Sequence, residues 1–166
     1  MKNKIFICLV LLISTSVMAT DTNTTISAEI NSTKTKETKK EVLEIKWAKD
    51  YKTGIAEAKK TSKPIFFVIS RDTCKYCVIL KKTTFKDPKV IKALNKDFVS
   101  IIAQTDENDY VPRALYAPGL PAMWFLYSDA RPMYQPLMGM MKSKDFLQAL
   151  ATVKTEFDAN NKKGSK

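Results

Sequence analysis

Residues 64–77 read PIFFVISRDTCKYC: a proline, five consecutive apolar residues, a short polar stretch, and two cysteines three positions apart. An apolar run of that length bounded by breakers predicts a strand over Ile65–Ile69 buried on both faces. The cysteines fall where the chain should turn into a helix running through Val78 and Leu80 towards Phe85. A buried strand feeding directly into a helix is the signature of an α/β fold.

The flanking segments extend that order. Val42 and Ile45 suit a short edge strand, and Trp47, Tyr51, Ile55 and Ala58 recur at helical spacing up to Lys60. Asp87 predicts an N-cap with Pro88 at the first helical position, ahead of Val90, Ile91 and Leu94. Phe98 to Ala103 reads as a second buried strand, and Tyr110 to Tyr116 as a short helical segment. Met123–Tyr127 and Met133–Met138, separated by Ser128 to Arg131, predict a hairpin. Ser143 is expected to cap a last helix with an apolar stripe of Phe146, Leu147, Leu150 and Phe157. The sum is an α/β domain with a mixed central sheet flanked by helices.

The N-terminus has the pattern of a signal peptide: Lys2 and Lys4, an apolar run from Ile5 to Ile13, and a small-residue cleavage site near Ala19. The run is well short of the roughly 20 residues that span a bilayer. Residues 20–40 are almost wholly polar and read as a disordered linker. Within it Asn23 and Asn31 sit in Asn-x-Thr triplets with an acidic residue two places earlier, so both are candidate glycosylation sites; a Thr- and Asn-rich linker also produces such triplets by chance. Residues 41–160 form the expected globular domain, with a basic tail at 161–166.

Cys8 lies inside the apolar run, so Cys74 and Cys77 are the pair expected in a mature, exported chain, periplasmic or secreted. The formal charge is +11; removing residues 1–19 takes out Lys2 and Lys4 and no acid, leaving +9. The lysines are spread along the whole chain and no nucleic-acid motif is present, so the charge reads as a solvated basic surface and no nucleic-acid partner is expected.

Two cysteines at i and i+3 on the first turn of a helix can close a small disulfide. Unpaired backbone N–H groups at that helix end favour the thiolate. At pH 7 a cysteine of pKa about 8.5 is only about 3% ionised, and lowering the pKa to about 7 raises the attacking species roughly fifteenfold. Arg71 and Lys75 add positive charge in the same direction, and Lys75 and Tyr76, between the cysteines, are the residues expected to tune the motif. The roles expected are Cys74 as nucleophile and Cys77 as the resolving thiol, a redox-active disulfide with no bound cofactor. As a staple the bond is poor, since closing about four residues removes only about 2 kcal/mol of unfolded-chain entropy.

Two alternatives stay open. A zinc site needs about four ligands, and the chain has no histidine. Copper(I) could instead use the thiolates with Met138, Met140 or Met141. A non-catalytic binding module is the other reading. The absence of histidine also excludes Cys-His hydrolases and transferases.

The apolar strand running into CKYC, the stretch Gly119-Leu120-Pro121-Ala122 leading into a strand, and Gly139 followed by Ser143 together resemble the thioredoxin superfamily over about residues 45–157. The run from Trp47 through KPIFFVIS and CKYC to TFKDPKV is most similar to exported thioredoxin-like domains related to the C-terminal domain of DsbD. That resemblance implies a thioredoxin fold, a cis Pro121 facing the disulfide, and a Leu120 backbone that pairs with an extended client segment. It also implies protein clients with thiols or disulfides, a reducing role fed by a membrane-bound redox partner, and a monomer. Many thioredoxins carry a buried aspartate where this chain has Val68, and a tryptophan where it has Thr73; Asp72 is a candidate to relay a proton through water.

Overall fold

The structure is a computed structural model that describes residues 43–163. The helices are α1 (Tyr51–Thr61), α2 (Lys75–Lys82), α3 (Pro88–Asp97) and α4 (Ser143–Lys163). The strands are β1 (Ile65–Ser70), β2 (Val99–Gln104), β3 (Ala122–Leu126) and β4 (Leu137–Met138), in sheet order β2-β1-β3-β4. β1 runs parallel to β2 and antiparallel to β3, and β3 pairs antiparallel with β4. This is the mixed α/β sheet that the sequence predicts.

β1 explains its own composition. Phe66 and Val68 face a core with Leu80, Phe85, Val90, Leu94, Phe125 and Phe146, while Ile65, Phe67 and Ile69 face a second core with Ala58, Val99, Ile101 and Trp124. Every residue of β1 is buried, so the alternation that marks a half-exposed strand has nothing to act on.

The helix boundaries follow from capping chemistry. Asp50 accepts a hydrogen bond from the Thr53 N–H at 2.7 Å, so α1 starts at Tyr51. Trp47, expected inside that helix, instead makes a single parallel bridge to Ser100 and packs against Phe66 and Phe85. The expected edge strand reduces to this bridge; Val42 lies outside the described residues. Asp87 caps α3 by accepting from the Lys89 N–H at 2.8 Å, with Pro88 at the first position as the sequence predicts.

α2 stops at Lys82 rather than continuing to Phe85. The Thr84 hydroxyl is buried and donates to the Met141 carbonyl at 2.5 Å, and this draws residues Thr84–Lys86 into a separate 3-10 turn. The expected helical segment at 110–116 contracts to a 3-10 turn at Arg113–Leu115, directly after Pro112. The hairpin's second arm is also shorter than expected. β4 pairs only at Ala122↔Met138 and Met123↔Leu137, and the arms meet again at a Leu126↔Pro132 bridge with the register shifted by two residues. Pro136 has no N–H to offer the ladder in between.

Ser143 is the first residue of α4, not its cap; its hydroxyl bonds the Asp87 carboxylate and joins the starts of α3 and α4. The buried stripe of α4 is Phe146, Leu150, Val153 and Phe157, with Leu147 at its margin. The helix runs on to Lys163, past the domain limit at residue 160 expected from sequence.

Gly54 lies where α1 crosses β2. A Cβ there meets Ile101 Cγ1 and Cδ1 at 2.5 Å, and Ile101 is itself buried. In an exposed helix Gly→Ala gains roughly 1 kcal/mol. Here overpacking of about 1–3 kcal/mol opposes that gain, so Gly54→Ala is expected to lower the free energy of unfolding in urea. A variant more stable than wild type contradicts the close approach of α1 to β2.

Candidate active site

β1 delivers the chain to the site. After Ser70 the backbone leaves the sheet, with the Ser70 carbonyl taken by the Thr105 N–H at 3.0 Å and the Asp72 N–H donated to the Asp106 carboxylate at 2.7 Å. These bonds fix residues 71–73 against the start of the loop that follows β2. Cys74 is then the N-cap of α2, in extended conformation (φ −87°, ψ 112°).

Cys74 and Cys77 form a disulfide with Cα atoms 5.2 Å apart. Cys77 is fully buried, while Cys74 is partly open. The Cys77 N–H points at Cys74 Sγ from 3.3 Å, so the sulfur occupies the place of a capping oxygen at the positive end of the helix. A thiolate formed at Cys74 is held by that N–H and by the dipole, whereas one formed at Cys77 loses the water that would solvate it.

Facing Cys74 is the segment Gly119–Ala122. The Leu120–Pro121 peptide is cis, and the Leu120 carbonyl oxygen lies 3.6 Å from Cys74 Sγ. Pro121 is buried, and its carbonyl accepts from the Gly139 N–H at 2.9 Å, where Gly139 takes a left-handed φ of 80°. The structure thus brings Cys74, Cys77, Leu120 and Pro121 together. Lys75 and Tyr76 lie on the exposed first turn of α2, Tyr76 at 56% exposure. Asn23 and Asn31 lie outside the described residues.

A groove of about 730 Å³ opens beside Cys74, lined by Arg71, Thr73, Thr105, Asn108, Tyr116 and Leu120 among others. Its far wall is the loop after β2, which is anchored rather than free. Val111 and Leu115 are buried, Trp124 Nε1 donates to the Leu115 carbonyl at 3.0 Å, and the Asp109 carboxylate accepts from the Gln104 N–H at 2.8 Å. Sequence reasoning missed this wall. The signal was a polar loop punctuated by buried apolar residues at Val111 and Leu115, which a short-helix reading absorbed.

Arg71 turns its Nε to Thr105 Oγ1 at 3.1 Å, on the groove side of the cysteines. Asp72 is committed to Lys81 at 2.5 Å and to Gln104 Nε2 at 3.2 Å; the Lys81 hydrogen bond and charge hold its carboxyl below the usual aspartate range. Val68, at the place of the buried aspartate, is packed in apolar surroundings. Among the described residues there is no group of three or more His, Cys, Asp or Glu side chains able to hold a metal, and no helix long and apolar enough to cross a membrane.

Residues 29–165 match the family model Thioredox_DsbH, described as a protein of unknown function, DUF255. The chain belongs to the Thioredox_DsbH family. Among curated proteins it is similar to anterior gradient protein 2 of Xenopus laevis, 29% identical over 154 residues that cover 78% of this chain and 82% of that one. A thioredoxin from Thermus thermophilus has the same fold, with a TM-score of 0.60 at 23% identity over 70% of this chain and 92% of that one. A structure described as DsbH oxidoreductase matches with a TM-score of 0.52 at 13% identity, over 68% and 85% of the two chains. The thioredoxin fold expected from the sequence is therefore that of this Thioredox_DsbH member, with a CxxC disulfide at the end of β1.

In the reduced protein the two thiols should differ sharply toward iodoacetamide. Cys74 is expected to be alkylated at least an order of magnitude faster than Cys77, read by mass spectrometry of peptides from timed quenches. Equal rates contradict the burial of Cys77.

Proposed function

We propose that this chain is an exported thiol-disulfide oxidoreductase that exchanges disulfides with protein clients through Cys74 and Cys77. The observation that carries the reading is the asymmetry of the pair: one sulfur is partly open at a helix N-terminus beside a groove, the other fully buried one turn on. Cys74 thiolate attacks a client disulfide, giving a mixed disulfide and releasing one client thiol. Cys77 then attacks Cys74 Sγ, the Cys74–client bond breaks, and the second client sulfur leaves with the electron pair and takes up a proton. The client is reduced by two electrons and the Cys74–Cys77 pair is oxidised.

Leu120 offers its backbone to an extended client segment lying in the groove, with Pro121 packed behind it, and Tyr76 is an exposed aromatic on the first turn of α2 for clients to touch. Lys75 adds charge near Cys74. The reducing direction rests on the sequence resemblance to domains related to the C-terminal domain of DsbD, and a membrane-bound partner supplies the electrons. Export, cleavage near Ala19 and modification of Asn23 and Asn31 rest on the sequence pattern alone.

Cys74→Ala is expected to abolish reduction of a disulfide-bonded protein such as insulin, and Cys77→Ala to accumulate mixed disulfides that dissociate with dithiothreitol. A module that only binds a partner, without exchange, keeps its partner affinity in both variants, whereas one that holds copper(I) through the thiolates loses the metal in both. The equilibrium potential of the pair, titrated against dithiothreitol, sets the direction: about −270 mV for a reductant, about −120 mV for an oxidant.

A further inference from the structure

The second half of that exchange needs Cys77 to lose a proton while fully buried. A thiol in such surroundings ionises reluctantly, so the proton needs somewhere to go. The buried polar residues among those described are Ser70, Thr84 and Ser100, none of them ionisable. Thr84 is satisfied by the Met141 carbonyl. Ser70 Oγ and Gln104 Oε1, like Ser100 Oγ lower on β2, are buried side-chain oxygens without a hydrogen-bond partner among the described residues, a condition that ordinarily marks a role or a bound water.

These two atoms share one place in the fold. Ser70 and Gln104 are register partners on the parallel strands β1 and β2. Ser70 has the parity of Phe66 and Val68, and Gln104 that of Ile102, so both point to the side of the sheet that packs against Leu80 of α2. Cys77 precedes Leu80 by three residues and lies on the same face of α2, at the end nearest the C-termini of the two strands. Ser100 lies about 13 Å further down β2 and takes no part.

The orientation of Gln104 is fixed by its outer partner. The Asp72 carboxylate can only accept, so Gln104 must turn its NH₂ to it, and Oε1 is therefore the atom left facing inward. Asp72 in turn is bound by Lys81 at the protein surface.

Resting on the oxidoreductase reading above, we infer that Ser70 and Gln104 are positioning residues that hold a water molecule against Cys77 and so provide its proton with a path to solvent. Ser70 can donate and accept, Gln104 Oε1 accepts, and the Cys77 thiol donates, which meets the two to four partners a buried water needs. When Cys77 attacks, its proton passes to this water and on to solvent at the Asp72–Lys81 edge. The Cys77–Cys74 bond forms, the Cys74–client bond breaks, and the client thiolate takes a proton from solvent. The other charged groups around Cys77 are Arg71, turned to Thr105, and Lys75 on the outer turn; β1, β2, β3 and α4 bring no buried carboxylate or ammonium to this face.

The test uses the reduced full chain with Cys8→Ala in every variant, so that Cys74 and Cys77 are its only thiols, and Ellman's disulfide in stopped flow. A first aromatic thiolate is released when Cys74 attacks and a second when Cys77 resolves, so the two phases report the two cysteines separately. In Ser70→Ala and Gln104→Met the first phase is expected to stay within about twofold of wild type. The second is expected to slow on the order of tenfold near pH 7, with its pH midpoint raised by about one unit and the rates converging at high pH. Ser70→Ala removes a buried hydroxyl with no protein partner and should leave the urea midpoint near that of wild type; Gln104→Met tests the same path from the other strand. An unchanged second phase and pH midpoint in both variants, with normal wild-type kinetics, overturn this inference alone. A wild-type chain that releases one thiolate and no second overturns the oxidoreductase reading as well.

Discussion

Everything at the site depends on burying β1 on both faces. A strand with no solvent side cannot slip by one residue without exchanging its two apolar sets between unlike cores, so its register against β2 and β3 is strongly specified. Its last residue is held to the loop after β2 through the Ser70 carbonyl. Cys74 is thereby placed four residues beyond a fixed point, and Leu120 reaches it from the segment that leads into β3, the strand on β1's other side.

The stability of the domain lies elsewhere than in the disulfide. Phe66 sits among Trp47, Phe85, Phe125 and Phe146 with ring centroids 5.3–6.3 Å apart, linking the 3-10 turn after α2, α4 and the sheet in one aromatic cluster. Against this, a loop of about four residues closed by a disulfide constrains the unfolded chain by about 2 kcal/mol. The pair can therefore open and close while the framework around it stays assembled.

What the sequence made legible were features with local causes. The apolar run of β1, the Asp87-Pro88 start of α3 and the Cys-x-x-Cys turn each carry their instruction within a few residues. Trp47 was misplaced because its helical spacing to Tyr51 is real, yet Asp50 between them caps the helix and releases Trp47 to the sheet edge. The end of α2 was misplaced because the deciding bond runs from Thr84 to Met141, 57 positions away. The groove wall and the pairing of Ser70 with Gln104 were illegible for the same reason: each exists only once β2 lies beside β1. For the site, the reacting sulfurs and Leu120-Pro121 could be read directly, and their surroundings could not.

The sheet's two margins have a consequence for how the molecule meets its own kind. On one side the Trp47–Ala48 segment occupies β2 at Ser100, where the Ala48 N–H donates to the Ser100 carbonyl at 2.8 Å. On the other, β4 offers two residues before the left-handed turn at Gly139, with Pro132 and Pro136 on its approach. Neither margin presents a long run of unpaired N–H and C=O groups, so crowded copies lack the flat template from which edge-to-edge aggregation grows.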